Sequence, residues 1–156
     1  MAQEAKRREK NLYQFAGLVA LCFWMVMTSM VCAAERLTVE RPTVNVRSGP
    51  GTQHSVLWQA EANYPLEVLE KRDGWVRFRD FEGYEGWVSA NLTGTTPSVV
   101  VKNSKANVRS GPGTSHSIVF TVEKGVPFRV LGRQGEWVRI RHADGDEGWI
   151  HRNLVW

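Results

Sequence analysis

NVRSGPGTQHSV runs from Asn45 to Val56, and NVRSGPGTSHSI runs from Asn107 to Ile118. The second copy lies 62 residues after the first, and the register holds without a gap to the end of the chain. Trp75/Trp137, Gly86/Gly148, Trp87/Trp149 and Leu92/Leu154 coincide at that offset, while Val56/Ile118, Trp58/Phe120 and Val88/Ile150 exchange like for like. A fixed internal period of this kind marks a duplicated structural unit. Each unit spans about 55 residues, Leu37 to Leu92 and Val99 to Leu154, near the lower limit of independent folding. A unit that small has little room for a catalytic cleft and its supporting shell. Its size suits a binding module.

Within one unit the apolar residues alternate with polar ones. LTVE from Leu37 and TVNVR from Thr43 read as half-buried strands. SGPG then breaks the pattern, because glycine and proline together impose a turn or an irregular loop. VLW from Val56 and PLEVLEK from Pro65 resume it, and Asp73-Gly74 is a tight-turn dipeptide between apolar runs. WVRFRD places Val76 and Phe78 on one face and Trp75, Arg77 and Arg79 on the other. EGWV is a last short strand, and SANL closes the unit as one helical turn. VVVK, ANVR, IVF, PFRVLGR, WVRIR and EGWI repeat the diagram. Five or six short strands at close spacing predict an all-β fold of two small barrels.

NVRSGPG, an apolar strand, W-V-R-[FI]-R and E-G-W-[VI] ending in N-L resemble the bacterial SH3-like domain, twice over. The resemblance implies two SH3-like barrels in tandem, at residues 35–92 and 99–156, joined by the TGTTPS linker at 93–98. It also implies peptidoglycan peptides as one class of ligand. His54 and His116 stand where such domains often carry tyrosine. Cell-wall hydrolases often carry such modules as accessories, and no catalytic domain accompanies the repeats in this sequence.

The first 34 residues read as an address: a basic segment with Lys6, Arg7, Arg8 and Lys10, an apolar run from Phe15 to Val31, then Cys-Ala-Ala. This is the order of a signal peptide cleaved after Ala34. An uncleaved membrane anchor is the competing reading, because seventeen apolar residues barely suffice to cross a bilayer. Under either reading the repeats are exported, to the periplasm or cell surface, and face outward. Beyond residue 34 the chain holds 16 basic against 14 acidic residues, so the leader carries half of the net charge of +4 behind the pI of 9.3. A near-neutral remainder lacks the basic stripe that nucleic acid requires. Both cysteines, Cys22 and Cys32, lie in the leader, which leaves the repeats without a disulfide framework, a cysteine nucleophile or a cysteine metal site.

The candidate ligand-binding residues are Arg47, Trp75 and Trp87 with their repeats Arg109, Trp137 and Trp149. With Val76 and Val88 in the core, the tryptophans turn outward, either as the walls of a peptide groove or as lids over a small core. Arg47 and Arg109 precede the glycine-proline loop. There a guanidinium either clamps a ligand carboxylate or pairs internally with Glu85 and Glu147. SGPGT lacks the Lys-Ser/Thr ending of a phosphate loop. His54 and His116 are matched, one in each unit with serine beside it, and His142 and His151 occur only in the second; one matched histidine per unit makes no metal site, and no nucleophile elbow accompanies the Ser-His pairs. No catalytic residue, metal or cofactor is assigned. The reading is an exported, non-enzymatic module for cell-wall peptidoglycan. The alternative is an envelope protein-interaction scaffold, with membrane contact only through an uncleaved leader.

Overall fold

A computed structural model describes residues 34–156; the leader assigned to residues 1–34 falls, but for Ala34, outside the described residues. The described chain is all β apart from two single turns of 3-10 helix, Ala90–Leu92 and Arg152–Leu154. The first repeat contributes β1 (Arg36–Val39), β2 (Thr43–Arg47), β3 (Val56–Glu61), β4 (Pro65–Arg72), β5 (Trp75–Arg79), β6 (Glu85–Ser89) and β7 (Thr93–Gly94). The second contributes β8 (Ser98–Val100), β9 (Lys105–Arg109), β10 (Ile118–Glu123), β11 (Pro127–Gln134), β12 (Trp137–Arg141) and β13 (Glu147–His151). The strands assemble as β3-β2-β6-β5-β4-β1-β7 and as β10-β9-β13-β12-β11-β8. An antiparallel bridge between Val101 and Val155 in the second repeat matches the β1–β7 pairing of Val39 with Thr93 in the first. Two tandem SH3-like units result.

The alternation sets the inner faces. Val44, Val46, Leu66, Val76, Phe78 and Val88 fill the first core; Ala106, Val108, Phe128, Val138, Ile140 and Ile150 fill the second at the same offset. Gly86 is required by this packing. A Cβ there would stand 2.3 Å from Val46 Cγ1, and at Gly148 the same atom would meet Val108 Cγ1 at 2.5 Å. The glycine of the EGW motif therefore lets β6 and β13 press against the strand beside them.

Two pairs of bulges interrupt the ladders. Leu69 and Leu131 are extra residues in β4 and β11. Leu57 and Val119 are extra residues in β3 and β10. A bulge re-aims the residue it inserts, and both Leu57 and Val119 emerge half exposed.

The connection between repeats is shorter than Thr93–Ser98. Thr93 and Gly94 pair with β1, and Ser98 already opens β8. The repeats are also in contact. Thr38, Val39, Val100 and Val101 are buried in succession on β1 and just along β8, so those segments are covered on both faces. Thr38 donates to Thr96 O at 2.6 Å and shares a hydrogen bond with Ser98 Oγ at 2.6 Å. Val100 packs into the core of the first repeat, with Trp156 beside it.

Candidate functional site

Arg47 and Trp75 line one open cleft of about 480 Å³ on the first repeat, together with Asn45, Gln59, Ser89 and Asn91. β2 supplies Asn45 and Arg47, and β5 supplies Trp75. Outward strand phase brings them to one surface, because Trp75 pairs with Ser89 while Val76 pairs inward with Val88. Gln59 Nε2 donates to Asn45 Oδ1 at 2.9 Å, and Ser89 Oγ donates to Asn91 Oδ1 at 2.8 Å. The cleft therefore offers an indole platform beside a row of amides and a hydroxyl, donors and acceptors suited to peptide groups.

Arg47 does not form the internal ion pair with Glu85 that its position suggested. Its Nη1 donates to Thr52 O at 3.1 Å and to His54 O at 2.8 Å, holding the SGPGT loop closed. Arg109 repeats this with Thr114 O and His116 O at 3.1 and 2.8 Å. The reason is competition. Arg77 already holds Glu85 through Nε and Nη2, and Arg139 and Arg141 hold Glu147. The hydrogen bond from Arg141, then that from Arg139, keeps the Glu147 carboxyl below its ordinary range. The histidines belong to the same loop. His54 lies where a Gly49 side chain would stand, its ring 2.6 Å from a Cβ placed there, and His116 covers Gly111 likewise.

Trp87 departs from the groove expected of it. It sits on the outer face, opposite Arg77 and Arg47, but only 8% of its surface is exposed. The Arg72 guanidinium stacks 4.9 Å from its ring centroid and covers it. It is a lid, and Trp75 alone of the pair lines the cleft. In the second repeat Trp137 and Trp149 are half-buried, and Trp137 packs edge-on against His151 with centroids 5.3 Å apart. His151 occupies the place of Ser89, so the two repeats present different surfaces around a shared tryptophan.

Asn45, Gln59 and Asn91 were not singled out in the sequence. Asn45 and Asn91 recur as Asn107 and Asn153, and that repetition on outward strand and turn positions was the available signal.

A family model described as the bacterial SH3 domain matches residues 40–94 and again residues 102–156. The chain belongs to this family. The bacterial SH3 domains of this chain are similar to part of a putative N-acetylmuramoyl-L-alanine amidase, YrvJ, of Bacillus subtilis. That alignment is 24% identical and covers 93% of this chain but 31% of YrvJ. They are similar as well to the probable cell wall amidase LytH of Staphylococcus epidermidis, 29% identical over 41% of this chain and 23% of LytH. The LytH of Staphylococcus aureus is 36% identical over 31% of this chain and 18% of its own length. The chain thus spans less than a third of the curated relatives it matches. Among solved structures, an NlpC/P60 family protein from Bacillus cereus aligns over 78% of this chain and 56% of its own, at 14% identity and a TM-score of 0.38. NlpC1 from Trichomonas vaginalis aligns over 82% and 47%, at 16% identity and a TM-score of 0.36. Among the described residues no helix is long and apolar enough to cross a membrane.

Proposed function

We propose that this chain is an exported, non-catalytic module that binds peptidoglycan peptides through the bacterial SH3 domains. The observation that carries the reading is the Arg47–Trp75 cleft, where an indole face, three amides and a hydroxyl lie along one open surface. An extended peptide would stack on Trp75 and exchange hydrogen bonds with Asn45, Gln59 and Asn91. Arg47 serves the cleft by fixing its loop wall, with its guanidinium at the rim for a ligand carboxylate. The similarity to cell wall amidases supports a cell-wall setting. The imidazoles of His54 and His116 pack on Gly49 and Gly111, which ties them to the shape of the loop. Two domains on one polymer would raise a weak single-site affinity through effective concentration.

The test is sedimentation of the full chain with insoluble purified peptidoglycan, beside an assay for released soluble fragments. Co-sedimentation without release supports the module. A chain left in the supernatant would transfer the case to an envelope protein-interaction scaffold, and fragment release would make it an enzyme.

A further inference from the structure

The first repeat carries a second groove, most of whose lining residues differ at the same offset in the second repeat. Leu57, Trp58, Tyr64 and Tyr84 line a cavity of about 420 Å³ together with Asp80, Glu82 and Glu85. The bulge in β3 throws Leu57 outward, 53% exposed, and Tyr84 stands 66% exposed at the opposite rim. Trp58 and Tyr64 form the wall between them, edge to face with centroids 5.3 Å apart. Tyr84 is held in place by a buried carboxylate. Asp80 Oδ1 accepts from the Glu82 and Tyr84 backbone N–H groups, both at 2.9 Å, and Oδ2 accepts from Tyr64 Oη at 3.4 Å. Burial, reinforced by Asp80, pushes the Tyr64 hydroxyl above the ordinary phenol range, so it stays neutral and donates.

At the same offset the second repeat has Val119, Phe120, Val126, His142 and Asp146 in place of Leu57, Trp58, Tyr64, Asp80 and Tyr84. The duplicated strands are kept, while the lining of this groove, Tyr64 of the first core included, differs between the repeats.

We propose that this groove is a second binding site, for a peptide that inserts an aliphatic primary ammonium of the lysine type. The reasoning is charge complementarity on an aromatic floor. Apolar methylenes fit Leu57 and Trp58. The ammonium at their end meets the faces of tyrosine and tryptophan and competes with Lys124 for the Glu82 carboxylate, while Glu85 stays with Arg77. Lys124 illustrates the chemistry: from the second repeat its Nζ reaches Glu82 Oε1 at 2.5 Å and lies 5.7 Å from the Phe81 ring. Residues 41–92 carry 6 basic against 7 acidic side chains, and residues 103–154 carry 8 against 5, so the cationic ligand is drawn to the first repeat. β3 ends its sheet with β2 as its one strand neighbour, which leaves an edge along which the peptide backbone can lie. This groove is separate from the Arg47–Trp75 cleft and stands whether or not the chain binds cell wall.

The test is a titration of the isotopically labelled full chain with acetyl-Ala-Lys-Ala-amide, following the indole N–H resonance of Trp58. The expected result is a saturable shift of that resonance. The norleucine peptide, which keeps the methylenes and lacks the charge, binds at least tenfold more weakly. Tyr84→Ala removes an exposed ring and weakens the lysine peptide at least fivefold. Lys124→Ala frees Glu82 and strengthens binding severalfold. An unmoved Trp58 resonance would overturn the proposal, as would equal binding of the lysine and norleucine peptides.

Discussion

Val76 and Arg77 are neighbours in sequence and opposites in consequence. Val76 has no exposed surface, whereas the Arg77 side chain is 43% exposed and pairs with Glu85. Val76→Asp places a charge without a partner in a small core and is expected to abolish the folded state of the first repeat, a loss above about 4 kcal/mol. Arg77→Asp removes an exposed ion pair and costs about 1 kcal/mol. Thermal melts of the two variants check this, and equal losses would reverse the strand phase. That phase was legible in the sequence because one face of every strand is apolar. What covers the other face was not legible. Trp75 and Trp87 share the outward phase, yet Arg72 from β4 closes over Trp87 and nothing comparable closes the cleft at Trp75. Tyr64 and Tyr84 were not legible as groove residues for a related reason, and Trp58 stood out only as the like-for-like partner of Phe120. Repetition was the guide to importance, and these residues are where the repeats differ.

At the scale of elements, the SGPGT loop shows how a motif without regular structure is held. Arg47 Nη1 ties two of its carbonyls, Ser48 N–H donates to Ser55 O at 3.0 Å, and His54 lies over Gly49. Arg47→Met keeps much of the stem and removes both charge-assisted bonds, each worth about 1.5–3 kcal/mol when buried and less at this half-exposed position. The expected outcome is local. Amide exchange around Thr52–Ser55 accelerates at least tenfold, while exchange in β5 and β6 is unchanged. Uniform acceleration throughout the repeat would mean that Arg47 supports the barrel rather than the loop. The loop's existence followed from its glycines and proline. The partner of Arg47 did not, because loop carbonyls have no periodicity from which to place them, whereas Glu85 sits on a strand and invites a pairing that Arg77 in fact makes.

On the scale of the whole molecule, the repeats are joined by more than their short connection. Val100 packs into the first core, Thr38 bonds across to Thr96 and Ser98, and the Arg36 guanidinium lies 3.8 Å from the Trp156 ring centroid. The run Val99-Val100-Val101 carried this information, since three apolar residues in succession describe a strand covered on both faces, where alternation would describe one. Val100→Asp is therefore expected to lower the melting temperature of both repeats, monitored separately by indole resonances of Trp75 and Trp137. Loss confined to the second repeat would show that the first does not depend on it. The proposed function is tested most directly by binding isotherms of the full chain on purified peptidoglycan, for the parent and for Trp75→Phe, each with its melting curve. A buried aromatic anchor contributes about 2 kcal/mol or more, roughly thirtyfold in affinity. Saturable binding by the parent and a loss of at least tenfold in Trp75→Phe, at an unchanged melting temperature, are expected. Absence of binding by the parent, or identical isotherms for the two proteins, would contradict the proposed function.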